Sequence, residues 1–82
     1  MYYLCLVRRS RPDEPILEKL SKLDNVLYAA SVTGDVDGVV ITSIPLSSYC
    51  YPIKRLETVG RGFNQALYVI FNNKHVNVYI IK

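Results

Sequence analysis

The chain reads as strand, helix, strand, strand, helix, strand, strand over 82 residues. That order predicts an α+β fold, a ferredoxin-like βαββαβ two-layer sandwich of the dimeric α-β barrel type, with an extra C-terminal edge strand. Three observations carry this expectation: five short runs that are apolar or β-branched in alternation, an amphipathic stretch between the first two, and turn residues that leave room only for tight returns. The length suits one domain, residues 1–82, near the size at which a single core is just large enough to hold a fold.

Tyr2 to Arg9 splits into two registers, Tyr2, Leu4, Leu6, Arg8 and Tyr3, Cys5, Val7, Arg9, each apolar until its last member. A strand with two apolar registers is buried on both faces. Ser10-Arg11-Pro12-Asp13 ends it, and Asp13 or Ser10 can cap a helix whose first turn tolerates Pro15. Ile16, Leu17, Leu20 and Leu23 lie on one side of that helix, opposite Glu18, Lys19 and Lys22. Asp24-Asn25 stops it, Val26 to Val32 forms the second strand, and Val39 to Thr42 returns as the antiparallel third.

A second helix is expected from Pro52, which suits a first helical position, to Gly60, which suits a stop. Ile53 and Leu56 would face inward and Lys54 and Arg55 outward. A longer helix from Pro45, kinked at Pro52, is the alternative. Arg61 to Gln65 is a loop, and Ala66 to Phe71 and His75 to Ile81 are strands joined at Asn72-Asn73-Lys74.

Ten basic against seven acidic residues leave a net charge of +3, and the pI is about 9.0. This mild excess permits contact with nucleic acid without requiring it. No apolar run approaches the ~18 residues that span a bilayer, so a cytoplasmic location is expected. Cys5 and Cys50 have no partner at metal spacing and read as two small buried hydrophobes. A bridge between them would fit a hyperthermophilic source, where intracellular disulfides occur. Seven tyrosines and no tryptophan favour positions that are dry at one end and wet at the other.

In a two-layer fold one sheet face has no cover, yet the second and fourth strands are apolar in both registers: Val26, Tyr28, Ala30 against Leu27, Ala29, and Leu67, Val69, Phe71 against Tyr68, Ile70. So large a bare patch predicts a homo-oligomer, two sheets stacked as a two-fold dimer or a larger ring.

The stretch Val32-Thr33-Gly34-Asp35-Val36-Asp37-Gly38-Val39-Val40-Ile41 is a hairpin with a polar knot of two glycines and two carboxylates. Its curled tip offers unpaired N–H groups beside carboxylates, the pair of features that holds a zwitterion; a plain turn requires the same residue types. Together with Tyr3-Leu4-Cys5-Leu6-Val7 and the helix Ile16-Leu17-Glu18-Lys19-Leu20-Ser21-Lys22-Leu23, this stretch resembles the small effector-binding domain of the Lrp/AsnC transcription regulators, which also occurs alone. The likeness covers Tyr2 to Thr42, with Val36 where that family has an aromatic residue. It implies a dimer of ferredoxin-like units that assembles further, with an amino acid effector lined by Thr33, Gly34, Asp35 and Asp37. It also implies a full-length regulator of that family as a pairing partner. Pro52 and Arg61-Gly62-Phe63-Asn64-Gln65 depart from the family's longer second helix and hydroxyl-rich stretch.

Other motifs are weaker. Asp35-Val36-Asp37-Gly38 opens like a calcium loop but lacks its later oxygen ligands. Arg61-Gly62-Phe63, followed by Tyr68, echoes an RNA-recognition signature but falls in a loop with Asn64 and Gln65 inside it. Arg8, Arg9 and Arg11 form a basic rim, with Lys54, Arg55 and Arg61 as candidates to join it. His75, the one histidine, has no neighbouring nucleophile to activate. The sequence therefore reads as a non-enzymatic, metal-free and cofactor-free regulatory domain that oligomerises through its sheet and binds an amino acid or similar small effector. A basic nucleic-acid-binding protein on the same fold and a pure assembly module are the alternatives.

Overall fold

The computed structural model describes residues 1–60 and 65–82. The elements run β1 (Tyr2–Val7), α1 (Ile16–Ser21), β2 (Val26–Ser31), β3 (Gly38–Thr42), β4 (Cys50–Val59), β5 (Ala66–Phe71) and β6 (Val76–Ile80). All six strands belong to one antiparallel sheet in the order β2-β3-β1-β4-β5-β6. Its two edge strands meet at one corner. Val32 bridges Ile81, the Thr33 N–H donates to the Ile80 carbonyl at 3.0 Å, and the Lys82 N–H donates to the Ser31 carbonyl at 2.9 Å. The sheet is thus rolled into a barrel closed at that corner, with α1 packed outside on β2 and β3. Among the described residues no helix is long and apolar enough to cross a membrane.

This corrects the expected ferredoxin-like two-layer α+β fold: the described residues are mostly β, with one six-residue helix among them. The segment read as a second helix from Pro52 to Gly60 lies in β4 as far as Val59. Its inward residues Ile53 and Leu56 are three apart, as on a helix, because the β4–β5 register shifts between Ile53, paired with Phe71, and Arg55, paired with Ile70. A bulge adds one residue to a strand and turns an alternating spacing of two into three. Pro52 is tolerated because β5 begins its pairing one residue further along, at Ile53. It therefore owes that neighbour no N–H.

Rolling also explains why the strands are apolar in both registers. Leu4, Val32, Val39, Ile41, Ile53, Leu67 and Val69 form a single buried interior, drawn from β1, β3, β4, β5 and the residue after β2, with Tyr28 and Ala30 of β2, Tyr79 of β6 and Ile81 packed against it. The opposite register, Cys5 and Val40, lies under Leu17 of α1. One of the two apolar registers is the barrel's own interior, where Tyr28, Ala30, Leu67, Val69 and Phe71 pack, while Leu27 of the other stays exposed. Burying each such Leu, Ile or Val contributes about 1.5–3 kcal/mol.

Smaller corrections concern ends and glycines. No side chain caps α1; Pro15 takes the cap position, and the Ser10 hydroxyl instead donates to Glu14 Oε2 at 2.7 Å. Gly38 is a strand residue rather than a turn residue. A Cβ there would stand 2.6 Å from Leu17 Cδ1 and 2.9 Å from the Ala30 carbonyl oxygen, so only glycine lets the helix close down on β3. Cys5 and Cys50, read as separate hydrophobes, are joined in a disulfide across β1 and β4. Their register brings them directly opposite, which a sequence separation of 45 conceals.

Candidate functional site

A groove of about 520 Å³ opens on the barrel between β1, β4 and the β5–β6 hairpin. Its apolar floor is Leu4 and Leu6 of β1 with Pro52 of β4, and its rings are Tyr51, Phe71, His75 and Tyr79. Asn72, Asn73 and Asn77 supply amides, and among the described residues the lining contains no Asp, Glu, Lys or Arg. Residues two apart on a strand point to one side, and His75, just before β6, is hydrogen-bonded in series with Asn77 and Tyr79 of that strand. His75 Nε2 lies 2.8 Å from Asn77 Oδ1, and Asn77 Nδ2 donates to the Tyr79 hydroxyl at 3.3 Å. The Phe71 and His75 ring centroids are 6.0 Å apart.

The hairpin tip that presents His75 is tightly built. The Phe71 N–H donates to the His75 carbonyl at 2.8 Å, the Lys74 N–H to the Phe71 carbonyl at 2.9 Å, and the His75 N–H to Asn73 Oδ1 at 3.1 Å. Lys74 takes a left-handed φ of 68° to complete the turn. With the tip held so, the imidazole is placed over the groove by backbone geometry rather than by its own packing.

The four residues expected to hold an effector do not line this groove; they form the turn at its border. Asp37 donates its N–H to the Val7 carbonyl at 2.9 Å and accepts the Arg9 N–H on Oδ2 at 2.7 Å, so its carboxylate is committed to the end of β1. The Thr33 N–H is committed to the barrel corner. Asp35 is exposed, Gly34 has a φ of 116°, and the N–H groups of Gly34, Asp35 and Val36 make no protein hydrogen bond among the described residues. Val36 turns inward against the core. Val7 follows groove-lining Leu6 and Ile80 follows groove-lining Tyr79, so the turn flanks the groove on two strands.

Of the basic rim, Arg8 and Arg11 are exposed, whereas Arg9 is half-buried, its Nε without a hydrogen-bond partner among the described residues. Arg55 pairs with Glu57 at 3.2 Å, both exposed. The Arg61-Gly62-Phe63 motif lies outside the described residues. Sequence reasoning missed the groove because its rings come from three strands. The available signal was the alternation of His75, Asn77 and Tyr79.

No family model matches the chain, nor does any curated protein or solved structure. The likeness of Tyr2 to Thr42 to the Lrp/AsnC effector domain therefore rests on those residues alone.

Proposed function

We propose that this chain is a non-enzymatic binding module for a small effector with a flat ring, an aromatic amino acid in first place. The carrying observation is the groove: four aromatic rings with neutral amides between them and no buried charge. Such a surface stacks a planar group and satisfies its polar edge without desolvating an ion. The bordering turn supplies what the other end of an amino acid needs, free N–H groups at Gly34 to Val36 for a carboxylate and the exposed Asp35 carboxylate for an ammonium.

Thermal denaturation against a panel tests this. Tryptophan, tyrosine or phenylalanine at a hundred times its dissociation constant adds about 2.7 kcal/mol of stability, and leucine or alanine does not. A flat response to every ring-bearing compound defeats the reading.

One observation favours a second ligand class. Residues 50–82 carry Lys54, Arg55, Arg61, Lys74 and Lys82 against Glu57 alone, while the acidic residues otherwise fall between Asp13 and Asp37. The positive half is the one that supplies all four of the groove's rings, an arrangement suited to a base of a single-stranded nucleic acid stacked in the groove. Binding of that kind weakens steeply with salt, whereas capture of a zwitterion changes little.

A further inference from the structure

We propose that the Cys5–Cys50 disulfide is a redox latch on the groove, opened by a dithiol to lower the affinity for the ring-bearing ligand; this rests on the groove being the binding site. Cys5 sits between Leu4 and Leu6, and Cys50 directly precedes Tyr51 and Pro52, all four of which line the groove. The bond therefore joins the two strands that form one wall.

Little else holds that wall together. β1 and β4 share four pairs, Tyr2 with Ile53, Tyr3 with Pro52, Leu4 with Tyr51 and Cys5 with Cys50. The cysteine Cα atoms are 4.3 Å apart, the spacing of a non-hydrogen-bonded pair. By alternation Tyr3 and Pro52 are also such a pair, and only Leu4 with Tyr51 and Tyr2 with Ile53 exchange ladder bonds. Upstream, Ser43 to Tyr49 is exposed throughout, and its described hydrogen bonds run to Asn25 or within Ser47 to Cys50. From Ile53 onward β4 is secured to β5. Opening the bond thus leaves Cys50, Tyr51 and Pro52 tied to β1 through the Leu4–Tyr51 pair alone, with the rest of the strand in place.

Access is unequal. Cys5 is 7% exposed, whereas Cys50 is half-buried at the first position of β4, beside the exposed loop. A thiolate of the dithiol attacks Cys50 Sγ, the Cys5 sulfur leaves as the thiolate, and the reagent's second thiol displaces Cys50 from the mixed disulfide. The protein gains two thiols and the reagent becomes a disulfide.

The chain has no tryptophan, so L-tryptophan fluorescence reports binding directly. The experiment titrates L-tryptophan into oxidised protein and into protein reduced with dithiothreitol, with amide hydrogen exchange followed in both. Reduction is expected to weaken binding by about tenfold or more, equivalent to about 1.4 kcal/mol. It should also speed exchange at Leu4 and Tyr51, with the β1–β3 amides unchanged. A Cys5→Val/Cys50→Val variant, which keeps an apolar cross-strand pair, should bind as weakly as reduced protein and ignore dithiothreitol. Equal affinity and equal exchange in the two redox states overturn the latch, as does global unfolding on reduction, which would make the bond a simple staple. Absence of binding to oxidised protein defeats the groove reading instead, and exchange at Leu4 and Tyr51 then decides by itself whether the bond controls the wall.

Discussion

β1 is flanked by two unlike walls. Toward β3 it runs through five consecutive pairs, from Tyr3 with Thr42 to Val7 with Gly38, under a helix that seats Leu17 on Cys5 and Val40. Toward β4 it has four pairs, one with a proline, and the residues beside the cross-link open into the groove. The covered wall is packed on both faces. The other keeps Tyr51 and His75 exposed to solvent. The difference lies in how the two walls are held: continuous pairing and a helix on one side, a short seam with a covalent tie on the other.

The largest effect tests the tie. Removing the disulfide should cost about 2–4 kcal/mol. Thermal melting of the oxidised and reduced protein should differ by about 10–25 °C, given ~4–8 °C per kcal/mol for a domain of this size. A shift of only a degree or two would mean that the β1–β4 seam is self-sufficient and the contrast between walls is false.

On the covered wall, Gly38→Val places a side chain against Leu17 and the Ala30 carbonyl. It should destabilise by about 1–3 kcal/mol in urea unfolding. Unchanged stability would show that α1 rides loosely on β3.

Two smaller effects belong to the open wall. Lys74→Gly removes a side chain from a left-handed φ of 68° and should stabilise by up to about 1 kcal/mol, visible in the denaturation midpoint. His75→Ala should move stability by less than about 0.5 kcal/mol because the residue is exposed. It should nonetheless weaken L-tryptophan binding, since the ring contributes to the groove wall. A His75 variant that binds normally removes the imidazole from the site.

The helix-like spacing of Ile53 and Leu56 shows where sequence reading misled. Three residues between inward positions is the mark of a helix turn and equally of a bulged strand, and nothing local separates the two. The partner decides, and that partner is β5, which shifts register opposite Lys54. Double apolar registers are ambiguous in the same way. They announce burial on both faces, but a second copy, a helix and the sheet's own far strands all satisfy them. The turn chemistry was legible in part: Gly34 takes the left-handed conformation its position suggests, whereas Gly38 is glycine for the sake of Leu17.

The sequence alone determined the local elements: β1, α1, β2 and β3 in the first half and the β5–β6 hairpin with its Asn-Asn-Lys tip, because alternation, helical spacing and turn residues are properties of neighbours in the chain. Only the tertiary structure decided that the sheet rolls upon itself, that Cys5 meets Cys50, that the second helix is a strand and that Tyr51, Phe71, His75 and Tyr79 surround one groove. These depend on register between distant strands, and register is set by which buried surfaces fit together, a property of the whole molecule that no short window of residues contains.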